Sequence, residues 1–195
     1  MAHLKAVDHV STAFLLHCYC EWCKMGKSGE EKAKAISEPL LPLISSLQPL
    51  INMFIGEYTH NLDDKGRMAL PAKFRSKLRG SAIITRGLDA CLFVFTAEEW
   101  EKLAEKLVSL PITQANSRAF TRLMLAGAMD VEIDKQGRIL VPDYLREYAG
   151  LTKGVVVTGL YNRIELWDSE QWKAYKTKTE ASSDEIAEKL SDLGI

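Results

Sequence analysis

Hydrophobic positions fall into short runs separated by turn signals, and the spacing of those runs predicts small strands and helices. Residues 54–62 set Phe54, Ile55, Tyr58 and Leu62 among polar neighbours, the composition of a strand. Asp63-Asp64-Lys65-Gly66 follows, with Asp opening and Gly closing a tight turn, and Arg67 to Leu70 returns as a second strand. Pro71 stands where proline begins a helix, and AKFRSKL continues it. Two further strands are expected at 82–85 and 91–95, around an Arg86-Gly87-Leu88-Asp89 turn. Thr96 is placed to cap a helix whose first turn is acidic. Residues 113–129 predict another helix, with Phe120, Leu123 and Met124 on its buried face.

The same plan then recurs. A strand is expected from about Met129 to Ile133, a turn at Asp134-Lys135-Gln136-Gly137, a strand at Arg138–Val141 and a helix opened by Pro142. Strands at Val155–Val157 and Ile164–Trp167 follow, then a helix near Ser169. Shifting the chain by 71 positions matches Asp63 with Asp134, Gly66 with Gly137, Arg67 with Arg138, Pro71 with Pro142 and Arg75 with Arg146. A shift of 72 matches Gly87 with Gly159, Leu88 with Leu160, Glu98 with Glu170 and Trp100 with Trp172. Two copies are too few for a solenoid. They suit one fold of two similar halves about a pseudo-twofold axis. The expected boundaries are an extension at 1–52, a first repeat at 53–112, a connecting helix at 113–128, a second repeat at 129–176 and an acidic tail at 177–195, reached through a Thr/Lys/Ser-rich linker after Lys176.

Composition changes this picture only locally. The 195 residues carry 47% hydrophobic and 26% charged positions, as ordinary globular chains do. The net charge of −1 conceals a basic stretch at 57–86, where seven Lys/Arg outnumber three carboxylates. From Asp168 to the end, seven carboxylates outnumber four lysines. Such a distribution predicts a localised face for a polyanion. No run of 18 apolar residues suggests a membrane span, and four cysteines without a secretory signal suggest a reducing cytoplasm. Within the extension, Cys18, Cys20 and Cys23 beside His17 have zinc-ligand chemistry, but the paired Cys-x-x-Cys halves of zinc modules are missing. An extension without a metal is the expectation there, and GKSGEE lacks the spacing of a phosphate loop.

Each turn places Asp four positions before Arg. Asp can accept backbone N–H groups within the turn and pair with the adjacent Arg, a structural role that adds little when exposed. That role leaves unexplained the cations around the first copy: Lys65, Lys73, Arg75, Lys77, Arg79 and Arg86. Long cations on a hairpin tip and neighbouring helix suit phosphates, and Arg also reads guanine edges. The candidate DNA-binding residues are Arg67, Arg138, Lys65, Lys135, Lys73, Arg75 and Arg86, with Asp63, Gly66, Asp134 and Gly137 as shaping residues. A shared-proton dyad of Asp63 and Asp134 is disfavoured because each has an Arg close by. A calcium loop is disfavoured by Lys65 and Gln136. Cys91 is expected in the core and His60 in a strand near the surface; no catalytic residue, cofactor or metal is expected.

The stretch MFIGEYTHNLDDKGRMALPAKFR from Met53, with its second turn at Asp134–Arg138, resembles the MraZ family of bacterial regulators. The resemblance runs from about Met53 to Lys176. It implies a mainly β fold with added helices, an AbrB/SpoVT-like swapped-hairpin β-barrel with pseudo-twofold symmetry. It also implies a ring-shaped homo-oligomer that binds double-stranded DNA at short direct repeats in the promoter of the division and cell-wall cluster. Asp63, Arg67, Asp134 and Arg138 carry the family signature by position, whereas the other cations come from charge and placement. Family members begin at the position of Met53, which implies that residues 1–52 are an upstream start; the Gly26–Lys32 run even suits purine-rich promoter codons. An antitoxin-like module that holds a protein through its acidic tail is the rival within the same fold, and a metal-dependent enzyme using the cysteine cluster is the other.

Overall fold

The computed structural model describes residues 53–191, so the cysteine cluster and the rest of 1–52 lie outside the described residues. Six strands make one antiparallel sheet: β1 (Phe54–Asn61), β3 (Ser81–Arg86), β4 (Leu92–Phe95), β5 (Met129–Glu132), β7 (Gly154–Tyr161) and β8 (Arg163–Asp168). Their order is β1-β7-β8-β4-β3-β5. The short strands β2 (Arg67–Ala69) and β6 (Arg138–Leu140) form a separate two-stranded ribbon. Among the described residues there are six helices: α1 (Ala72–Leu78), α2 (Ala97–Val108), α3 (Ala115–Leu125), α4 (Asp143–Tyr148), α5 (Ser169–Ala181) and α6 (Ser183–Leu190).

The sequence repeat equates β1 with β5, β2 with β6, β3 with β7 and β4 with β8. Under that exchange the sheet order reads the same from either end, so the pseudo-twofold passes between β4 and β8 and through the ribbon. The first strand of each half pairs with the other half. β1 runs against β7 from Phe54 opposite Tyr161 to Asn61 opposite Gly154, and β5 runs against β3. No pairing joins β1 to β5 among the described residues, so the expected closed barrel is replaced by an open sheet with a ribbon beside it.

One core unites the halves. Phe54, Met68, Leu70 and Phe74 from the first half pack with Ile139, Val141, Leu145, Val155 and Val157 from the second, all fully or almost fully buried. Phe74 stands edge-on to both Phe54 and Tyr58, at centroid distances of 5.4 and 5.2 Å, a favoured aromatic geometry. Met68 faces Ile139 across the ribbon, and both point inward. The ribbon is thereby fixed over the shared core.

Local chemistry sets the helix ends. Thr96 Oγ1 accepts the Glu99 N–H at 3.2 Å, and Asp168 Oδ1 accepts that of Glu170 at 3.0 Å. Pro71 and Pro142 are the N-cap residues of α1 and α4, one position before the helical turn proper. Several expectations need correction. The connecting helix stops at Leu125 and Met129 begins β5; Phe120 is 38% exposed, while Met124 is buried and accepts the buried Thr85 hydroxyl. The strand expected at Val155–Val157 extends to Tyr161, because β1 offers it a full-length partner. Of the stretch expected beyond Lys176 as a linker and tail, residues 177–190 are instead the end of α5 followed by α6. Residues 177–190 contain no Gly or Pro to break a helix, and Glu185 and Lys189 pair at 2.7 Å across one turn.

Gly137 sits at φ +77°, and an added Cβ would stand 2.0 Å from Arg75 Nη1 and 2.6 Å from its Cζ. Gly137→Ala is therefore expected to lower stability by about 1–3 kcal/mol through backbone strain and displaced Arg75. Chemical denaturation checks this; an unchanged midpoint and slope would contradict it.

Candidate nucleic-acid interface

The two signature turns are built alike, atom for atom, along the backbone. Asp63 Oδ1 accepts the N–H groups of Lys65 at 2.9 Å and Arg67 at 2.8 Å. Asp134 Oδ1 accepts those of Gln136 and Arg138, both at 2.9 Å. The Gly66 N–H donates to the Asp63 carbonyl, and the Gly137 N–H donates to that of Asp134. The two glycines, at φ +72° and +77°, supply the left-handed backbone that closes the turns. Backbone donation from Arg67 and Arg138, respectively, is the main cause that lowers the Asp63 and Asp134 pKa values.

Each turn is braced by the opposite half. The Gly137 carbonyl accepts the Leu70 N–H at 3.0 Å, and the Gly66 carbonyl accepts the Val141 N–H at 2.9 Å. Arg75 lies against Gly137 and donates to the Gln136 carbonyl at 3.4 Å. Arg146 lies against Gly66 in the equivalent place, where a Cβ would come within 2.9 Å of its guanidinium carbon; it also pairs with Asp143. Arg75, expected as a DNA contact, is thus largely engaged in holding the second turn. Arg146 was absent from the expected site, although the 71-residue shift had already matched it with Arg75.

The ribbon's outward face carries Arg67, Ala69, Arg138 and Leu140, since Met68 and Ile139 point to the core. Arg138 is half-buried and spans both turns, with Nε 2.9 Å from Asp134 Oδ2 and Nη1 3.6 Å from Asp63 Oδ2. The expected pairing of Asp63 with its neighbour Arg67 is therefore replaced by a pairing across the axis. Arg67 is exposed, as are Lys65 and Lys135 at the turn tips and Lys73 on α1.

The other cations of the basic stretch have structural partners. Arg86 lies over the rings of Tyr144 and Tyr148, at 5.8 and 5.7 Å, and Tyr148 donates to the Gly87 carbonyl at 2.7 Å. Arg79 pairs with Glu98 at 3.1 Å. Lys77 donates to the Met53 carbonyl and faces the Phe54 ring; its pKa is lowered by desolvation first and by Lys73 second. Cys91 is buried, its thiol pushed up chiefly by desolvation, and it donates to the Leu88 carbonyl at 3.0 Å. His60 is half-buried in β1, its pKa lowered by burial and then by Arg75. Among the described residues, no cluster of three or more His, Cys, Asp or Glu is arranged to hold a metal ion.

This geometry defines a two-repeat α+β protein with a cationic ribbon on its pseudo-symmetry axis. The family model described as "MraZ protein, putative antitoxin-like" matches the chain twice, over residues 53–123 and 124–193. The Transcriptional regulator MraZ of Halothermothrix orenii is 57% identical over 143 residues, spanning 73% of this chain and all of the relative. The proteins of the same name from Acetivibrio thermocellus and Thermoanaerobacter sp. (strain X514) are 52% and 50% identical over the same length, again 73% of this chain and all of each relative. The chain belongs to the MraZ family.

A lowered carboxyl pKa stabilises the fold above the ordinary value of 3.8, and that stabilisation is lost as pH falls through the folded-state value. The melting temperature is expected to fall as pH drops below about 3.8, and less steeply in Asp134→Asn. Thermal melts from pH 6 to 3 check this; identical acid slopes for both proteins would contradict it.

Proposed function

We propose that this chain is a DNA-binding transcriptional regulator whose contact face is the β2–β6 ribbon with its two turns. The observation that carries this reading is the outward row of Arg67 and Arg138, flanked by the exposed Lys65 and Lys135. Lysines on the tips and Lys73 suit phosphate oxygens, whereas an arginine on a raised ribbon can enter a groove and reach base edges. Arg75 and Arg146 act beneath this face as supports. The two aspartates shape the turns and hold Arg138 rather than touching DNA. Arg86 is read the same way, as a support in the seam against Tyr144 and Tyr148.

The family relationship extends the proposal. The strand exchange between halves supports the swapped-hairpin plan of AbrB/SpoVT-like proteins, without a closed barrel. Copies of the chain assemble as a ring and bind short direct repeats upstream of the chain's own gene, in the promoter of the division and cell-wall cluster. One small basic face holds DNA loosely and loses affinity quickly with salt. Several faces on spaced repeats gain by effective concentration without any new contact. The protein acts in the cytoplasm, at the nucleoid, and performs no catalysis. Among the described residues, no helix is long and apolar enough to cross a membrane.

A binding titration of the full chain against its own upstream DNA, at two salt concentrations, tests this. Arg67→Ala is expected to weaken specific binding about 10- to 100-fold, the discrimination of one bidentate base contact, with an unchanged melting temperature. Arg138→Ala is expected to weaken it at least as much. A folded Arg67→Ala protein that binds like wild type would place the DNA face elsewhere. Absence of any preference by wild type would favour a protein partner instead.

A further inference from the structure

The outward face of the β2–β6 ribbon is not wholly cationic. Of its four residues, Arg67 stands opposite Leu140, and Arg138 stands opposite Ala69. Leu140 is 50% exposed, an aliphatic side chain on the face proposed above for DNA. Cross-strand partners hold their Cβ atoms about 5 Å apart, so Leu140 lies beside Arg67. The turn tips carry Lys65 and Lys135, both exposed. Single apolar residues scattered over a surface are ordinary. Leu140 differs by its place, because a duplex that Arg67 touches must also cover it.

The two halves of this face are not equivalent. The shift of 71 positions relates Arg67 to Arg138 and Ala69 to Leu140, so a small residue in one repeat answers a large one in the other. The arginines differ as well. Arg138 is held by Asp134 at 2.9 Å and Asp63 at 3.6 Å, whereas Arg67 is exposed. The freer arginine and the larger apolar side chain thus form one cross-strand pair, and the restrained arginine and the alanine form the other.

We infer that Leu140 contacts the 5-methyl group of a thymine in the major groove, within about two base pairs of the base that Arg67 reads. A groove about 12 Å wide admits a two-stranded ribbon, whereas the minor groove, about 6 Å wide, does not. Phosphates offer an aliphatic side chain no partner, and the thymine methyl is the apolar group that base pairs present in the major groove. Base pairs rise about 3.4 Å apiece, so a side chain about 5 Å from Arg67 meets a neighbouring pair. Ala69 is too short to repeat the contact in the other half. The pseudo-symmetric ribbon therefore reads its site in one direction, which suits repeats that all run the same way. The inference rests on the DNA-binding reading above and deepens it by naming a base group.

Replacing thymine by uracil removes that methyl and leaves base pairing intact. The full chain is titrated against its own upstream duplex, the same duplex made with uracil, and an unrelated duplex of equal length. Wild type is expected to bind the uracil duplex at least about threefold more weakly, the worth of one buried methyl. Single uracil replacements are expected to trace that loss to one thymine per repeat. Leu140→Ala is expected to bind the thymine duplex more weakly than wild type does, and to bind the thymine and uracil duplexes alike. Circular dichroism establishes that the variant is folded, and Leu140→Gln, close to leucine in length, serves if it is not. Equal wild-type affinity for the thymine and uracil duplexes would overturn the contact and leave the DNA-binding reading standing. A folded Leu140 variant that keeps the full preference for thymine would also overturn it, and would assign the methyl to another side chain. Wild type that binds the upstream and unrelated duplexes equally would overturn the regulator reading, and this contact with it.

Discussion

The structure depends on an exchange of backbone hydrogen bonds between its two halves. Each signature turn offers its glycine carbonyl to an amide just before the helix of the other half: Gly66 to Val141, and Gly137 to Leu70. The same halves exchange their first strands, β1 to β7 and β5 to β3. Neither turn is therefore held by its own repeat alone. Arg75 and Arg146, laid against the opposite glycines, fill the space that the missing side chains leave. A flat glycine face, a left-handed backbone and a guanidinium fit together there, and a Cβ would disturb all three.

This bracing turns two small loops into a rigid platform, which is what a nucleic-acid face requires. Ordering a loop on binding costs conformational entropy, so a preformed turn loses less on contact. The platform is not perfectly symmetric. Arg138 is held by both aspartates, whereas Arg67 is exposed and makes no ion pair among the described residues. In the proposed DNA complex the two arginines would start differently prepared: one positioned in advance, the other ready to adapt.

Much of this was legible in the sequence. The repeat, the two Asp-to-Arg turns, the proline-led helices and the Thr96 cap depend on local chemistry, and local chemistry is written in order along the chain. Three things were not legible. The pairing of β1 with β7 joins residues about a hundred positions apart, and composition alone does not specify that partner. The basic stretch promised more free cations than the fold delivers, because charge in sequence does not show that Arg86 meets two tyrosines or that Arg79 meets Glu98. The tail misled in the opposite sense: Thr, Lys and Ser look like a linker, yet without Gly or Pro they continue as helix. Arg146 shows where a visible signal went unused, since its match with Arg75 pointed to a shared role.

Native-state hydrogen exchange at the Leu70 and Val141 amides tests the interlock most directly. If the halves brace each other, both amides open only with the whole fold, and their opening free energies match that of Val94 in the central β4 strand across a urea series. A Leu70 or Val141 amide that exchanges through a smaller, urea-independent opening, while Val94 stays protected, would contradict it.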